Sequence, residues 1–218
     1  MFSNLRGIVE NYNSTLDFTK LSSELKHILE NLTLNKNVLD DIAANSYAHP
    51  LGFEKYILHT FEDDYCLRLH FWQNQNAMVG DIHSHCSDFK SIILLGSLTN
   101  NTYVLNKGDN HKLFIYLTNQ LKENVVVEKG TSDYLLTESQ KINSKEYYFQ
   151  KSELLHNLCN IDNNTLTLSL WSKRENPAIV LKNLNSKVED CYYGSTFTSN
   201  QLLKKINLLL WKLAYGPQ

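Results

Sequence analysis

The feature that most constrains this fold is a long succession of short apolar segments in the middle of the chain. They run from about residue 53 to residue 182 and are separated by clusters of Asn, Gly, Asp and Lys, with no helical pattern between them. Because parallel strands need long and usually helical crossovers, strands joined this closely must pair antiparallel. About ten short strands at this spacing predict a sandwich or a barrel. The predicted strands are 65–72, 89–95, 102–105, 112–118, 124–128, 133–137, 146–149, 154–159, 165–172 and 178–181.

Helices are predicted on either side of this β region. Apolar residues at helical spacing between 21 and 32, and a second short stretch at 38–44, predict helices within the first fifty residues. Near the other end, Thr198 and Gln201 fit a capping box, and an apolar stripe follows from 202 to 213. The C-terminal helix is expected to pack outside the barrel, with a homodimer interface as the alternative. We therefore expect one domain, 1–218, with a helical region at 1–50, a β-barrel at 53–182 and a C-terminal helix at 198–215.

Bulk composition excludes several classes of protein. A net charge of −2 provides no basic field for nucleic acid or for an anionic membrane. No run of about 18 apolar residues predicts a transmembrane helix, and the first residues lack the pattern of a signal peptide. The four cysteines are too scattered for a zinc-binding pair or a disulfide framework. We expect a cytoplasmic protein with reduced thiols whose partner is a small molecule.

Two histidines, His83 and His85, lie two residues apart in a segment bounded by Gly80 and Gly96. On an extended strand such side chains share a face, so both imidazoles can bind one metal ion from the same side. His156, in a later short strand, can complete a three-histidine site in a barrel. Neutral imidazole suits iron(II), nickel, copper or zinc about equally, so the ligands alone do not fix the metal. The alternative for each histidine is an ordinary hydrogen-bonded position on a strand.

At these motifs the chain resembles the cupin superfamily, and within it the cysteine dioxygenase-like (thiol dioxygenase) branch. The frame around His83 and His85 resembles the first cupin motif, and His156 with the strand that follows it resembles the second. The acidic ligand of the usual first motif is not matched, because only Asp88, slightly early, is acidic there. Its absence is a trait of the thiol dioxygenase branch, whose iron is held by three histidines. The resemblance spans about residues 53–172 and implies an all-β core, a cupin-type double-stranded β-helix or jelly-roll barrel.

The chain departs from that family at residues expected around the iron. Where the family has a Tyr-x-Arg anchor for the substrate carboxylate, this sequence has Phe53-Glu-Lys55, and lysine pairs as a point charge rather than as a bidentate fork. The family's His and Tyr of the second motif fall on Ser169 and Trp171, and its cross-linking cysteine falls on Phe89. These departures argue against a true cysteine dioxygenase.

Arg68 and His70 alternate on a predicted strand whose equivalent lines the family's active site. A guanidinium and an imidazole near a metal can bind a carboxylate and shuttle a proton, so we assign both residues catalytic roles. Arg68, Lys55 and Trp171 form the predicted substrate-binding set. The alternatives are a structural network of Arg68 and His70 with nearby acidic residues, a solvated Lys55 and a core Trp171. His49 is assigned to a loop.

The resulting prediction is a mononuclear non-heme iron(II)-dependent oxygenase or dioxygenase. It uses O2 and acts on a small anionic substrate resembling an amino or thiol acid. Zinc, nickel or manganese acting as a Lewis acid would instead make the protein an isomerase, lyase or hydrolase, since the fold hosts all of these. A non-catalytic barrel that binds a small ligand is the third reading. It is favoured if the three imidazoles lie too far apart to share an ion.

Overall fold

The computed structural model describes residues 2–13, 15–49, 51–73, 80–118, 124–191 and 195–216, which contain four α-helices, eleven strands and one turn of 3-10 helix at Val188–Cys191. The helices are α1 (Phe2–Asn11), α2 (Thr15–Leu34), α3 (Lys36–Asn45) and α4 (Ser199–Tyr215). The strands are β1 (Tyr47–Ala48), β2 (Glu54–Thr60), β3 (Cys66–Trp72), β4 (Ile82–His83), β5 (Phe89–Leu95), β6 (Ser97–Thr118), β7 (Asn124–Asn143), β8 (Tyr147–Gln150), β9 (Leu155–Cys159), β10 (Thr165–Trp171) and β11 (Ala178–Asn183).

The strands form two antiparallel sheets. Sheet A has the order β1-β2-β3-β10-β5-β8, and sheet B has the order β11-β4-β9-β6-β7. From β3 to β6, and again from β7 to β10, successive strands alternate between the two sheets, which is the connectivity of a jelly roll. The predicted all-β core, a double-stranded β-helix or jelly-roll barrel with N-terminal helices and one C-terminal helix, is confirmed.

The helices cover the outer face of sheet A. Leu67, Leu69 and Phe71 of β3 point outward and pack with apolar residues of all four helices in one buried cluster. The residues between them, Arg68 and His70, therefore point inward, toward sheet B. Helix α4 packs against α2 and α3, and it begins with the predicted capping box. Among the described residues, no helix is both long enough and apolar enough for a bilayer span.

The strand predictions fail at two kinds of position. The polar residues 107–110 are typical of a turn, but in the structure they form a bulge between Asn106 and His111. Strand β6 therefore continues through them. The side chain of Asp133 holds this bulge by accepting hydrogen bonds from the Asn110 backbone N–H (3.1 Å) and side-chain amide (2.8 Å). The separate strands predicted within β6 and within β7 are therefore wrong. Strand β2 was not predicted, because only Tyr56 and Leu58 of its side chains join the helix-side core.

Candidate metal centre

Three histidines that are distant in sequence come together on the inner face of sheet B. His83, the last residue of β4, is the direct antiparallel partner of His156 in β9, so their Cβ atoms lie about 5 Å apart on one face. His85 follows two residues later, where its backbone N–H donates to the Ser152 carbonyl (3.0 Å). The candidate ligand nitrogens of the three imidazoles all lie within 4.8 Å of one another. Within the described ranges, this is the one cluster of three or more candidate side chains with metal-binding geometry.

Hydrogen bonds to the outer ring nitrogens prepare two of these imidazoles as ligands. His83 Nδ1–H donates to the Asp81 carbonyl (2.7 Å), and His156 Nδ1–H donates to Asn100 Oδ1 (2.8 Å). The Asn100 amide donates in turn to Gln150 Oε1 (3.4 Å), which directs its oxygen toward the histidine. With the proton on Nδ1, each Nε2 carries a lone pair available to a metal ion.

The distances within the triad are compatible with one shared ion. His85 Nε2 and His156 Nε2 are 2.7 Å apart, so either a proton or a cation must lie between these two nitrogens. Two nitrogens at about 2.1 Å from one ion and at right angles are themselves about 3.0 Å apart. This pair therefore already has ligand spacing, and all three candidate nitrogens lie within 4.8 Å of one another. The three residues fit a divalent metal.

The electrostatics of the triad favour its metal-binding form. Burial lowers the pKa of His83. It also lowers the pKa of His85 and of His156 well below the usual imidazole value, and at these two residues the neighbouring imidazoles add to the effect. Neutral imidazole is the form that binds metal, so the site needs no deprotonation near pH 7. Asp88, the acidic residue closest to the missing cupin ligand, accepts the Ser152 backbone N–H (2.7 Å) and is not part of the triad.

Asn100 should tune metal affinity although it does not reach the ion. We expect Asn100→Leu to weaken Zn(II) binding about 10- to 100-fold, because His156 loses the acceptor that fixes its tautomer and orientation. Asn100→Asp keeps an acceptor and should bind at least as tightly as wild type. Competition titration with a chromophoric chelator measures both. Asn157→Leu is the matched control, since Asn157 is also buried and hydrogen-bonded, but its side chain bonds to Tyr103 and Gly80 and not to a triad imidazole. Equal losses in the two Leu variants would contradict the assignment.

The residues predicted for substrate binding lie on the inner face of sheet A, opposite the triad. The Trp171 ring lies 4.9 Å from the His85 ring and stacks on Phe89 at 4.0 Å. The Arg68 guanidinium lies 4.1 Å above the Trp171 ring, and the His70 ring lies 6.3 Å from it. Trp171 therefore lies between the triad and the predicted residues Arg68 and His70.

The acidic network considered as an alternative for Arg68 and His70 is not formed by the described residues. Asp63 pairs instead with Arg6 (2.8 Å) on the outside of the molecule. Arg68 Nε donates to Cys66 Sγ (3.4 Å), and no described carboxylate pairs with its guanidinium. His70 is half-buried, and burial followed by the nearby cations Lys55 and Arg68 lowers its pKa well below the usual value.

Lys55 lies among the same residues and is not a freely solvated lysine. Its Nζ donates to the Tyr47 hydroxyl (3.2 Å) and lies 5.3 Å from the Tyr47 ring centroid. Burial, and next the charge of Arg68, lower the pKa of Lys55 to about 7. His83, His85, Arg68, His70 and Lys55 all keep part of their surface accessible. The space between the sheets that these side chains line is called the recess below.

His49 lies near the recess, although the sequence predicts only a loop there. Its ring stacks on Phe53 at 4.3 Å, and Phe53 in turn lies 5.2 Å from His70. His49 Nδ1 accepts the Leu51 backbone N–H (3.2 Å), which leaves the ring proton on Nε2. Burial, with Lys55 as the next cause, lowers the pKa of His49 to about 3. The short pairing of β1 with β2 places His49 beside Phe53, and two paired residues are too few to give a periodic pattern in the sequence.

No protein-family model matches the chain, and no curated protein matches it in sequence. Among solved structures, KdgF from Halomonas sp. is 13% identical over 60% of this chain and 88% of its own, with a TM-score of 0.37. An RmlC-like cupin from Shewanella frigidimarina is 12% identical over 58% of this chain and 81% of its own, with a TM-score of 0.35. HEPD from Streptomyces albus, with Fe(II) and 2-hydroxyethylphosphonate bound, is 7% identical over 56% of this chain and 22% of its own, with a TM-score of 0.32. Likenesses this distant leave the function to be argued from the site itself.

Proposed function

We propose that this protein is a mononuclear metal-dependent enzyme, with iron(II) as its metal, that oxygenates a small anionic substrate. The observation that supports the proposal is the triad of neutral imidazoles on the inner face of a jelly roll. An iron(II) ion held by His83, His85 and His156 would supply oxygen chemistry, since three protein ligands leave room for both substrate and dioxygen. The absence of a carboxylate from the triad gives that ion no charge compensation from its described ligands, which favours an anionic substrate.

The roles of the remaining residues follow from their places around the recess. Lys55 and Arg68 provide positive charge for the substrate's acidic group, and the buried Trp171 ring, which contacts Phe89, Arg68 and His85, forms a wall beside the triad. His70 is kept neutral by burial and by the two cations, so it can both donate and accept one hydrogen bond at the substrate. Phe53 and Trp72 flank His70 and reduce the access of water to it.

The proposal is tested by loading the full chain with metal and then measuring oxygen uptake. Metal-free protein is reconstituted anaerobically with Fe(II), Zn(II), Ni(II) or Mn(II) in parallel, and bound metal is determined by elemental analysis. We expect about one equivalent of Fe(II), and oxygen consumption that requires both the iron and an added small organic acid.

The other outcomes have distinct meanings. Stoichiometric metal without oxygen uptake for any acid, but with turnover in the Zn(II), Ni(II) or Mn(II) form, would replace the oxygenase by a Lewis-acid enzyme such as an isomerase, lyase or hydrolase. Failure to take up any of the four metals would end the proposal and leave a ligand-binding barrel.

A further inference from the structure

A row of three polar side chains crosses the inner face of sheet A. In the antiparallel register Lys55 of β2 is the partner of His70 in β3, and His70 is the partner of Thr167 in β10. Partners of this kind have Cβ atoms about 4.5–5.5 Å apart, so the three side chains lie next to one another. Their neighbours along the strands pack into the helix-side core, and the row therefore faces the recess and the triad. We call Lys55, His70 and Thr167 the polar row.

Two members of the polar row have hydrogen-bonding groups that no described residue engages. The Thr167 side chain is 1% exposed, and its hydroxyl has no partner among the described residues. His70 likewise makes no hydrogen bond to the described part of the chain, although burial keeps its ring neutral. A buried hydroxyl without a partner is unfavourable, and such groups in native proteins are normally satisfied by a ligand or an ordered water. An uncharged group that both donates and accepts would complement the two together.

The charge around the polar row has a single sign. Lys55 belongs to the row, and Arg68 lies two residues from His70 on the same face of β3. The charged or titratable groups that act on His70 are Lys55, Arg68 and His49, with no carboxylate among them. Neither Lys55 nor Arg68 has an ion-pair partner among the described residues. This field attracts an acid, and it repels any ligand that brings an ammonium group to the same place.

We propose that the substrate is a small hydroxy acid and not an amino acid. Its acidic group lies between Lys55 and Arg68, and its hydroxyl exchanges hydrogen bonds with His70 and Thr167. This inference rests on the proposed function and narrows its substrate class, because an amino acid of the same size would place an ammonium group among these cations. A phosphonate could occupy the acidic position as well as a carboxylate, and the hydroxyl is what the polar row selects.

Three small acids of nearly equal size test this selection: L-lactate, L-alanine and propionate carry a hydroxyl, an ammonium or a hydrogen at the same carbon. Their affinities are measured by titration calorimetry on the full chain, first without metal and then after loading with Zn(II). We expect L-lactate to bind at least tenfold more tightly than L-alanine, and also more tightly than propionate. Equal or tighter binding of L-alanine would overturn the inference, and so would the absence of measurable L-lactate binding.

Thr167→Val removes the hydroxyl with little change of shape and tests the polar row directly. We expect it to lower L-lactate affinity about tenfold while leaving propionate affinity unchanged. Thr165→Val is the matched control, because Thr165 lies on the same face of β10 but donates within the protein, to the Ser97 and Asp162 carbonyls. It should leave the ratio of L-lactate to propionate affinity as in wild type. An unchanged ratio in Thr167→Val would show that only water occupies this position and would overturn the inference.

The outcome for the substrate class can be separated from the outcome for the metal. If Zn(II) is not taken up but L-lactate is still preferred over L-alanine, the proposed enzyme fails while the hydroxy-acid site stands. If Zn(II) is taken up and the three acids bind equally, the metal centre stands and the hydroxy-acid inference fails. Both measurements are made on the same preparation.

Discussion

His156→Ala is expected to reduce bound metal from about one equivalent to below about a tenth after dialysis. His156 lies in the middle of the triad, since it pairs with His83 in register and its Nε2 is 2.7 Å from that of His85. Structural zinc sites with four ligands bind with about 10–16 kcal/mol, so one lost ligand corresponds to about 3 kcal/mol, or more than a hundredfold in affinity. Elemental analysis and Zn(II) competition titration measure the loss.

His27→Ala is the matched control for this substitution, because His27 is exposed on helix α2, away from the recess. It should retain the metal content of wild type. Since His156 is buried, the folding of His156→Ala is checked by circular dichroism on the metal-free protein, where no ligand contributes to stability. A folded His156→Ala variant that holds a full equivalent of metal would show that this histidine is not a ligand.

The jelly roll was predictable because its signal is local and repeated. Short apolar segments with turn residues between them indicate antiparallel pairing. In β3 the polar residues Arg68 and His70 alternate with apolar ones, which predicts the face that points to the interior. The boundaries of β6 and β7 were not predictable, because a polar bulge held by Asp133 looks like a turn in sequence. Strand β2 is missed for a related reason, since its first inward position carries the polar Lys55 and a bulge between Ile57 and His59 interrupts its alternation.

Some residues of the candidate site could likewise be predicted from the sequence, and others could not. The shared face of His83 and His85 follows from strand periodicity, and their convergence with His156 was expected from the resemblance to cupins. The support from Asn100 could not be predicted, because it depends on the register between β6 and β9, which no local pattern encodes. The assignment to the thiol dioxygenase branch stays a prediction.

Lys55→Met is expected to stabilise the protein, by about 3 kcal/mol at pH 7. Burial lowers the pKa of Lys55 from 10.5 to about 7, so its charged form is unfavourable in the folded chain. At about 1.4 kcal/mol per unit the full shift would correspond to about 5 kcal/mol, and the partial exposure of the Lys55 side chain to water reduces this. Between about pH 7 and pH 10.5 the unfolded chain holds a proton that folded Lys55 has lost, so wild-type stability rises with pH there. Urea unfolding at several pH values measures the effect.

The gain from Lys55→Met should be largest at and below pH 7 and should shrink toward pH 10, because the wild-type lysine becomes neutral in both states. Lys182→Met is the contrasting control, since Lys182 pairs with Asp81 at 2.5 Å and its removal leaves that carboxylate without its cation. It should lower stability or leave it unchanged. A destabilised Lys55→Met would mean that the bond to Tyr47 outweighs the burial of the charge. Stabilisation together with lost L-lactate binding would show that the unpaired cation is kept for the acid it binds, at the expense of the fold.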